Sequence, residues 1–418
     1  MAIDFRRHVV ARWPAPVPAD VELLREAAID AVLLDAPDEA FGRLAAAASL
    51  QAEPASQFTF GPREGAVVET GLWPGISRGP NQRGRGDETA SASREPWVDS
   101  NGYRVAYLRA LYPERPAVLG FQPDVRAGVR ADRLVSLDTL ELALVEAWAA
   151  GGNYLLALTP EWREALRARQ TRALEAWRRL GQTGRWLKQQ ASLFGLPANP
   201  VVTALVEPGA ATAEIANLLV RRGASPRLEP ATAPPAADPS RCIALVAAGI
   251  GPPAAAARAR ILAHAEAGGS VIAETAGAEP WWRDSRLKPV RTQQDRDFFA
   301  LGRGQVVAYK KRIADPSEFA LDVIDIVTHP KRAVRLWNAP AVIPLASLGP
   351  EAGRAVFIAV NYGSPADSEI QARIQGHYSR ARMLRPEAAT IDLKTAHRGS
   401  TTEVFLPELA RVAAVVFS

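Results

Sequence analysis

The hydrophobic period of this chain changes near Val334, and that change limits the folds open to it. Before Val334, short apolar runs alternate with helical stretches, first over residues 1–195 and again over 200–327. After it, the apolar residues recur at period two between turn signals, with little helix. Strands that alternate with helices argue for βαβ units and parallel pairing, and a period of two argues for antiparallel strands. The expectation is three units: 1–195 as a barrel-like α/β unit, 200–330 as a small doubly wound sheet, and 334–418 as a β-sandwich.

In the first unit the candidate strands are His8–Ala11, Ala31–Leu34, Ala66–Thr70, Ala117–Phe121 and Asn153–Leu158. A (β/α)8 barrel ordinarily takes about 250 residues. Five strands in fewer residues predict a reduced or distorted barrel. A long helix is expected from Glu161 to about Leu180, followed by another over Gly184–Phe194. In the second unit, helix Pro253–Ala267 ends at Gly268-Gly269, where glycine supplies a left-handed cap.

Composition excludes several classes. The 418 residues are 48% hydrophobic and 23% charged, ordinary for a globular protein. Net charge is +5, from 50 basic and 45 acidic side chains. No basic stripe with interleaved aromatics is present, so nucleic acid is not an expected partner. No apolar run approaches the ~20 residues that span a bilayer, and no signal peptide is visible, so a cytoplasmic protein is expected. The single cysteine, Cys242, rules out an internal disulfide and reads as a buried strand residue. The five histidines are scattered, which predicts no metal site, and no cofactor motif is present.

Three stretches carry a family resemblance: Ala265-Glu266-Ala267-Gly268-Gly269-Ser270-Val271-Ile272, Leu301-Gly302-Arg303-Gly304-Gln305-Val306, and Phe405-Leu406-Pro407-Glu408-Leu409 leading into Val412–Phe417. With the order of units, they make the chain resemble multidomain glycoside hydrolases such as family 42 β-galactosidases. The resemblance implies a catalytic barrel, a flavodoxin-like unit similar to class I glutamine amidotransferases, and a small C-terminal β-domain. It also implies a carbohydrate ligand and self-association through the middle unit. The Asn-Glu pair that ends the fourth strand in that clan has no counterpart here. Nor does Cys242 stand on the Gly-x-Cys-x-Gly turn that an amidotransferase needs.

Glycoside hydrolysis needs two carboxyl groups at the scissile bond, and in a barrel they project from the C-terminal ends of strands. Glu69 ends Ala66-Val67-Val68-Glu69-Thr70, just before Gly71-Leu72-Trp73-Pro74, and is the leading candidate. Glu95 and Asp99, which bracket Trp97, are its candidate partners. Asp35 and Asp124 also follow strands. The bland readings are a surface strand end for Glu69, a helix N-cap for Asp99 or Ser100, and a strand stop and helix start for Asp35 and Asp38. Trp13, Trp73 and Trp97 follow strands or sit in loops, where aromatic faces can stack on a sugar. Core packing is the alternative for each. His8 and Asn101 complete the candidate substrate-binding set. The long polar loop Pro74–Pro96 reads as a lid or as a surface insertion. The expected function is that of a glycoside hydrolase-like protein. The alternative is a non-catalytic carbohydrate-binding or assembly protein with the same order of units.

Overall fold

The computed structural model describes residues 3–36, 38–58, 67–70, 73–77, 97–121, 135–275, 280–313, 315–327, 331–349, 353–363, 367–386 and 388–418. The first elements are β1 (Val10–Arg12), α1 (Asp20–Glu26), β2 (Ala31–Leu34), α2 (Glu39–Ala47), β3 (Gln51–Pro54) and β4 (Val67–Thr70). An antiparallel pair, β5 (Gly75–Ser77) and β6 (Trp97–Asp99), comes next. Then follow α3 (Gly102–Leu111), β7 (Val118–Phe121), α4 (Leu137–Ala149), β8 (Asn153–Ala157), α5 (Pro160–Arg167) and α6 (Thr171–Gln189).

Six strands pair in the order β3-β2-β1-β8-β7-β4, all parallel. Read round a ring, this is barrel order. Among the described residues no ladder joins β3 to β4, and these strands alone make no closed barrel. Successive residues of each strand face opposite ways. Val9, Ala11, Val32, Leu34, Leu119 and Leu156 belong to the core shared with the helices. Val10, Ala31, Leu33, Val118 and Leu155 line the other, inner face with Ile3 and Phe5.

The helix break differs from the sequence expectation. It falls at Arg169, whose φ of 56° closes α5, and Gly184 lies inside α6. Gly181 of α6 serves packing. A Cβ on Gly181 would lie 2.5 Å from the Ala27 backbone, so only glycine lets α6 pass so close to the end of α1.

The next elements are β9 (Val202–Val206), α7 (Ala210–Arg221), β10 (Arg227–Pro230), β11 (Ala244–Ala247), α8 (Ala255–Glu266), β12 (Ser270–Glu274), β13 (Lys288–Thr292), β14 (Arg296–Leu301), β15 (Gly304–Tyr309) and α9 (Pro316–Val327). They form one sheet, β10-β9-β11-β12-β15-β14-β13. Its first five strands are parallel, and β13 and β14 are antiparallel. Ile261 and Leu262 of α8 pack on one face. Leu218 and Leu219 of α7 and Phe319 and Val323 of α9 pack on the other. Gly268, at φ 116°, turns the chain from α8 into β12, as expected.

The last strands are β16 (Val334–Trp337), β17 (Val342–Leu348), β18 (Ala355–Asn361), β19 (Asp367–Gln375), β20 (Ala381–Leu384), β21 (Ile391–Leu393), β22 (Ala396–Arg398), β23 (Thr401–Leu409) and β24 (Val412–Phe417). They make two antiparallel sheets, β16-β19-β23-β22 and β17-β18-β24-β20-β21. Ile370 and Leu406 of one sheet share a core with Phe357 and Phe417 of the other. The run Ala355–Val360 is apolar throughout because both its faces are covered. Ala355, Phe357 and Ala359 join that core, while Val356, Ile358 and Val360 join the core around α4 and α6. No helix among the described residues is long and apolar enough to cross a membrane.

Candidate functional site

The inner face of the six-stranded sheet is unlike at its two ends. At the N-terminal end, Ile3 and Phe5 close it over Val10, Ala31 and Val118, with Phe5 edge-on to Phe58 at 5.4 Å. At the C-terminal end, the alternation that buries Val10 and Leu33 brings charged residues to the same face. Arg12 lies two residues beyond Val10, Glu53 pairs with Leu33 in register, and Asp35 lies two residues beyond Leu33. Arg12 Nε donates to Asp35 Oδ1 at 2.8 Å, and the two side chains are 50% and 41% exposed. Arg163 of α5 donates to the Pro14 carbonyl at 2.5 Å. Burial lowers its pKa, as does Arg167, while the Asp20 and Asp35 carboxylates oppose them.

Glu69 pairs with Gly120 on β7, two residues beyond the Val67–Val118 pair. Its backbone therefore occupies an inner-face position, and its side chain lies outside the described residues. Glu95 and Asp124 also lie outside them. Trp97 pairs with Ser77 through the β5–β6 ladder, and its side chain is likewise not described. Trp73 is partly buried against the larger core.

Most of the remaining expectations need correction. Trp13 is fully buried, donates from Nε1 to Asp20 Oδ2 at 2.9 Å, and packs against Trp177. No face of it is left for a sugar. His8 precedes β1, at the end of the sheet away from Arg12, and its Nδ1 accepts from the Asp4 amide at 3.2 Å. Asp99 lies 3.3 Å from Arg221 of α7, a guanidinium only 7% exposed, and so helps hold the sheets together. Neither Asp99 nor Ser100 is the N-cap of α3. That position is Asn101, without a side-chain cap bond. Asn101 is 3% exposed, and its amide and Nδ2 donate to Glu146 at 2.9 and 3.0 Å. It belongs to the interior. Asp38 does cap α2, accepting from the Phe41 amide at 2.8 Å.

Sequence reasoning missed Arg12, Glu53 and Glu146. Glu146 is a carboxyl buried where α3, α4 and the loop after β18 meet, and Tyr362 Oη also donates to it at 2.9 Å. Burial pushes it up to about 7, against hydrogen bonds from Asn101, Tyr362 and the Gly102 amide that favour the ionised form. Its native value lies above the ordinary 4.5. Its contribution to stability is therefore complete below pH 4.5 and is lost as pH rises through about 7. The shift corresponds to about 3 kcal/mol. Glu146→Gln is expected to flatten the fall in melting temperature between pH 5 and pH 8, raising it at pH 8 relative to the parent. A variant whose melting temperature falls as steeply as the parent's would show that Glu146 does not titrate there.

The second sheet has a crevice between β9 and β11, where its strand order reverses. Open parallel sheets commonly bind ligands at such a point. Here the chain fills it. Glu207 accepts from the Gly251 amide at 2.9 Å and Glu274 from the Gly249 amide at 2.7 Å. Tyr107 of α3 inserts its hydroxyl between the Glu207 carbonyl, at 2.6 Å, and the Gly209 amide, at 2.9 Å. Cys242 stands at the opposite ends of these strands. It is buried, and burial pushes its thiol up.

No family model matches the chain, and no curated protein matches its sequence. Solved structures do match its fold. The α-L-fucosidase isoenzyme 2 of Paenibacillus thiaminolyticus aligns with a TM-score of 0.54 at 10% identity, over 96% of this chain and 80% of that one. A β-galactosidase of Bacillus circulans sp. alkalophilus aligns at 0.51 and 11%, over 77% of this chain and 58% of that one. Gan42B, a GH42 β-galactosidase from G. stearothermophilus, aligns at 0.46 and 12%, over 75% and 56%. The chain thus spans a little over half the length of the two β-galactosidases. The expected resemblance to family 42-like glycoside hydrolases is present at the level of fold.

Proposed function

We propose that this is a glycoside hydrolase-like protein that takes a carbohydrate at the C-terminal end of the six-stranded sheet. The observation that carries the reading is the inner face, built from parallel strands in barrel order, plugged by apolar side chains at one end and charged at the other. Glu69 is the candidate acid, with Glu95 as its partner and Trp73 and Trp97 lining the site, while Asp99 is held by Arg221. Glu53 joins them as a carboxylate at an inner-face position on β3. The reading includes the division into 1–195, 200–330 and 334–418, with a flavodoxin-like middle unit and a C-terminal β-sandwich.

The second reading is a carbohydrate-binding or assembly protein without turnover. The ion pair that commits Asp99 to Arg221 favours it. One experiment separates the two. The full chain is assayed for hydrolysis of a broad panel of aryl glycosides and oligosaccharides, and for binding of the same sugars by calorimetry. Hydrolysis is the result expected of the first reading. Binding without hydrolysis would move the assignment to the second, and neither would reject the first and leave only the assembly role of the second.

A further inference from the structure

The charged end of the inner face presents an arginine that is fixed but not spent. Arg12 is held through Nε by Asp35, and among the described residues its Nη nitrogens have no protein partner. Half of the side chain is exposed. Of the other arginines nearby, Arg167 is paired with Asp20, and Arg163 donates from Nη1 to the Pro14 carbonyl while its Nε is buried, away from the exposed face. Asp35 therefore faces two guanidinium groups, those of Arg12 and Arg163. Asp20 is already matched by Arg167. Glu53 stands two strands from Arg12 in the same register row, about 10 Å away at the usual strand spacing. The β1 side of this face thus has a positive surplus, delivered by a planar fork whose orientation is already set. An arginine fork pairs with a carboxylate through two parallel hydrogen bonds.

We propose that Arg12 selects an acidic sugar, its Nη edge receiving the carboxylate of a hexuronate bound on the inner face. This rests on the carbohydrate reading above. Arg12 is a specificity residue here, and no step of bond cleavage is assigned to it. A sulfate ester presents the same charge, but spreads it over three weakly basic oxygens instead of two, so each accepts a weaker hydrogen bond from the fork than a carboxylate oxygen does.

The test uses the full chain and three probes in calorimetric titrations: oligogalacturonate, the matching neutral galacto-oligosaccharide, and its sulfated form. Oligogalacturonate is expected to bind about 10- to 100-fold more tightly than the neutral oligosaccharide, as for a hydrogen-bonded charge. Arg12→Gln should remove that ratio, and Arg12→Lys should restore part of it. Neither should move the melting temperature measurably, because exposed ion pairs contribute little to stability. Equal binding of the acidic and neutral probes, or a ratio that survives in Arg12→Gln, overturns the proposal and leaves the carbohydrate reading standing. A preference for the sulfated probe over oligogalacturonate overturns the choice of a uronate. Failure of all three probes to bind overturns the carbohydrate reading and this inference together.

Discussion

Glu69→Gln is expected to cut turnover of any glycoside the protein hydrolyses by about 10²- to 10⁴-fold, the range supplied by one positioned acid or base. The substitution keeps the shape and removes the ionisable group. Glu69 sits near the C-terminal end of β4, on a position that the ladder to Gly120 assigns to the inner face. Side chains at such strand exits reach a ligand at the mouth, whereas those further down fill the interior. The melting temperature should stay within about 1 °C of the parent's, since Glu→Gln conserves the volume of the side chain. Undiminished turnover rejects Glu69 as the acid. Lost turnover accompanied by a lowered melting temperature would mean that the residue supports the fold.

The second large effect concerns stability. Asp20→Ala is expected to destabilise the first sheet and its helices by about 3 kcal/mol, the low end for breaking a buried ion pair. Asp20 is fully buried. Its Oδ2 accepts from Trp13 Nε1, the Val17 amide and Arg167 Nη2 at 2.9, 2.9 and 2.6 Å, and its Oδ1 accepts from Arg167 Nε at 2.9 Å. Removing the carboxylate leaves a buried indole N–H without its acceptor. Arg167 is 31% exposed and can turn to water, which keeps the cost from being higher. For a unit of this size the melting temperature should drop by about 6 to 12 °C. Burial alone would raise the Asp20 carboxyl, but its hydrogen bonds and the Arg167 charge hold it below the usual range. Its contribution is therefore present above about pH 4 and lost as pH falls through the native value. Asp20→Asn, which keeps an acceptor, should recover part of the loss. A loss under 1 kcal/mol in Asp20→Ala would sink this account.

How far the sequence could be read follows from what each element buries. β1, β2, β4, β7 and β8 declare themselves because they are short apolar runs. β3 does not, because Gln51-Ala52-Glu53-Pro54 offers one alanine to the core and lies at the end of the sheet order. The β13–β14 hairpin is hidden for a related reason: every residue of β13 is exposed, so no periodicity marks it. In the site, the position of Glu69 is legible as a charge ending an apolar strand. Arg12 is not, since nothing in Val10-Ala11-Arg12 tells that Asp35 waits on the next strand. Trp13 misleads because an aromatic after a strand looks like a platform, and only the fold brings Asp20 to its indole nitrogen. Glu146 did leave a signal. It sits in a helix apolar on nearly every side, where a carboxylate must find partners or hold a proton.

The two-faced burial of β18 also bears on how the protein is made. The apolar surface of α4 leaves the ribosome long before the strands that cover it, because β24 is completed roughly 260 residues later. At about 5–20 residues per second, that surface waits on the order of 15 to 50 s for its lid. A nascent chain in that interval carries an unpaired greasy patch beside the parallel sheet. Expression of this protein should therefore depend on translation speed, temperature and chaperone supply more than the stability of the finished molecule would suggest.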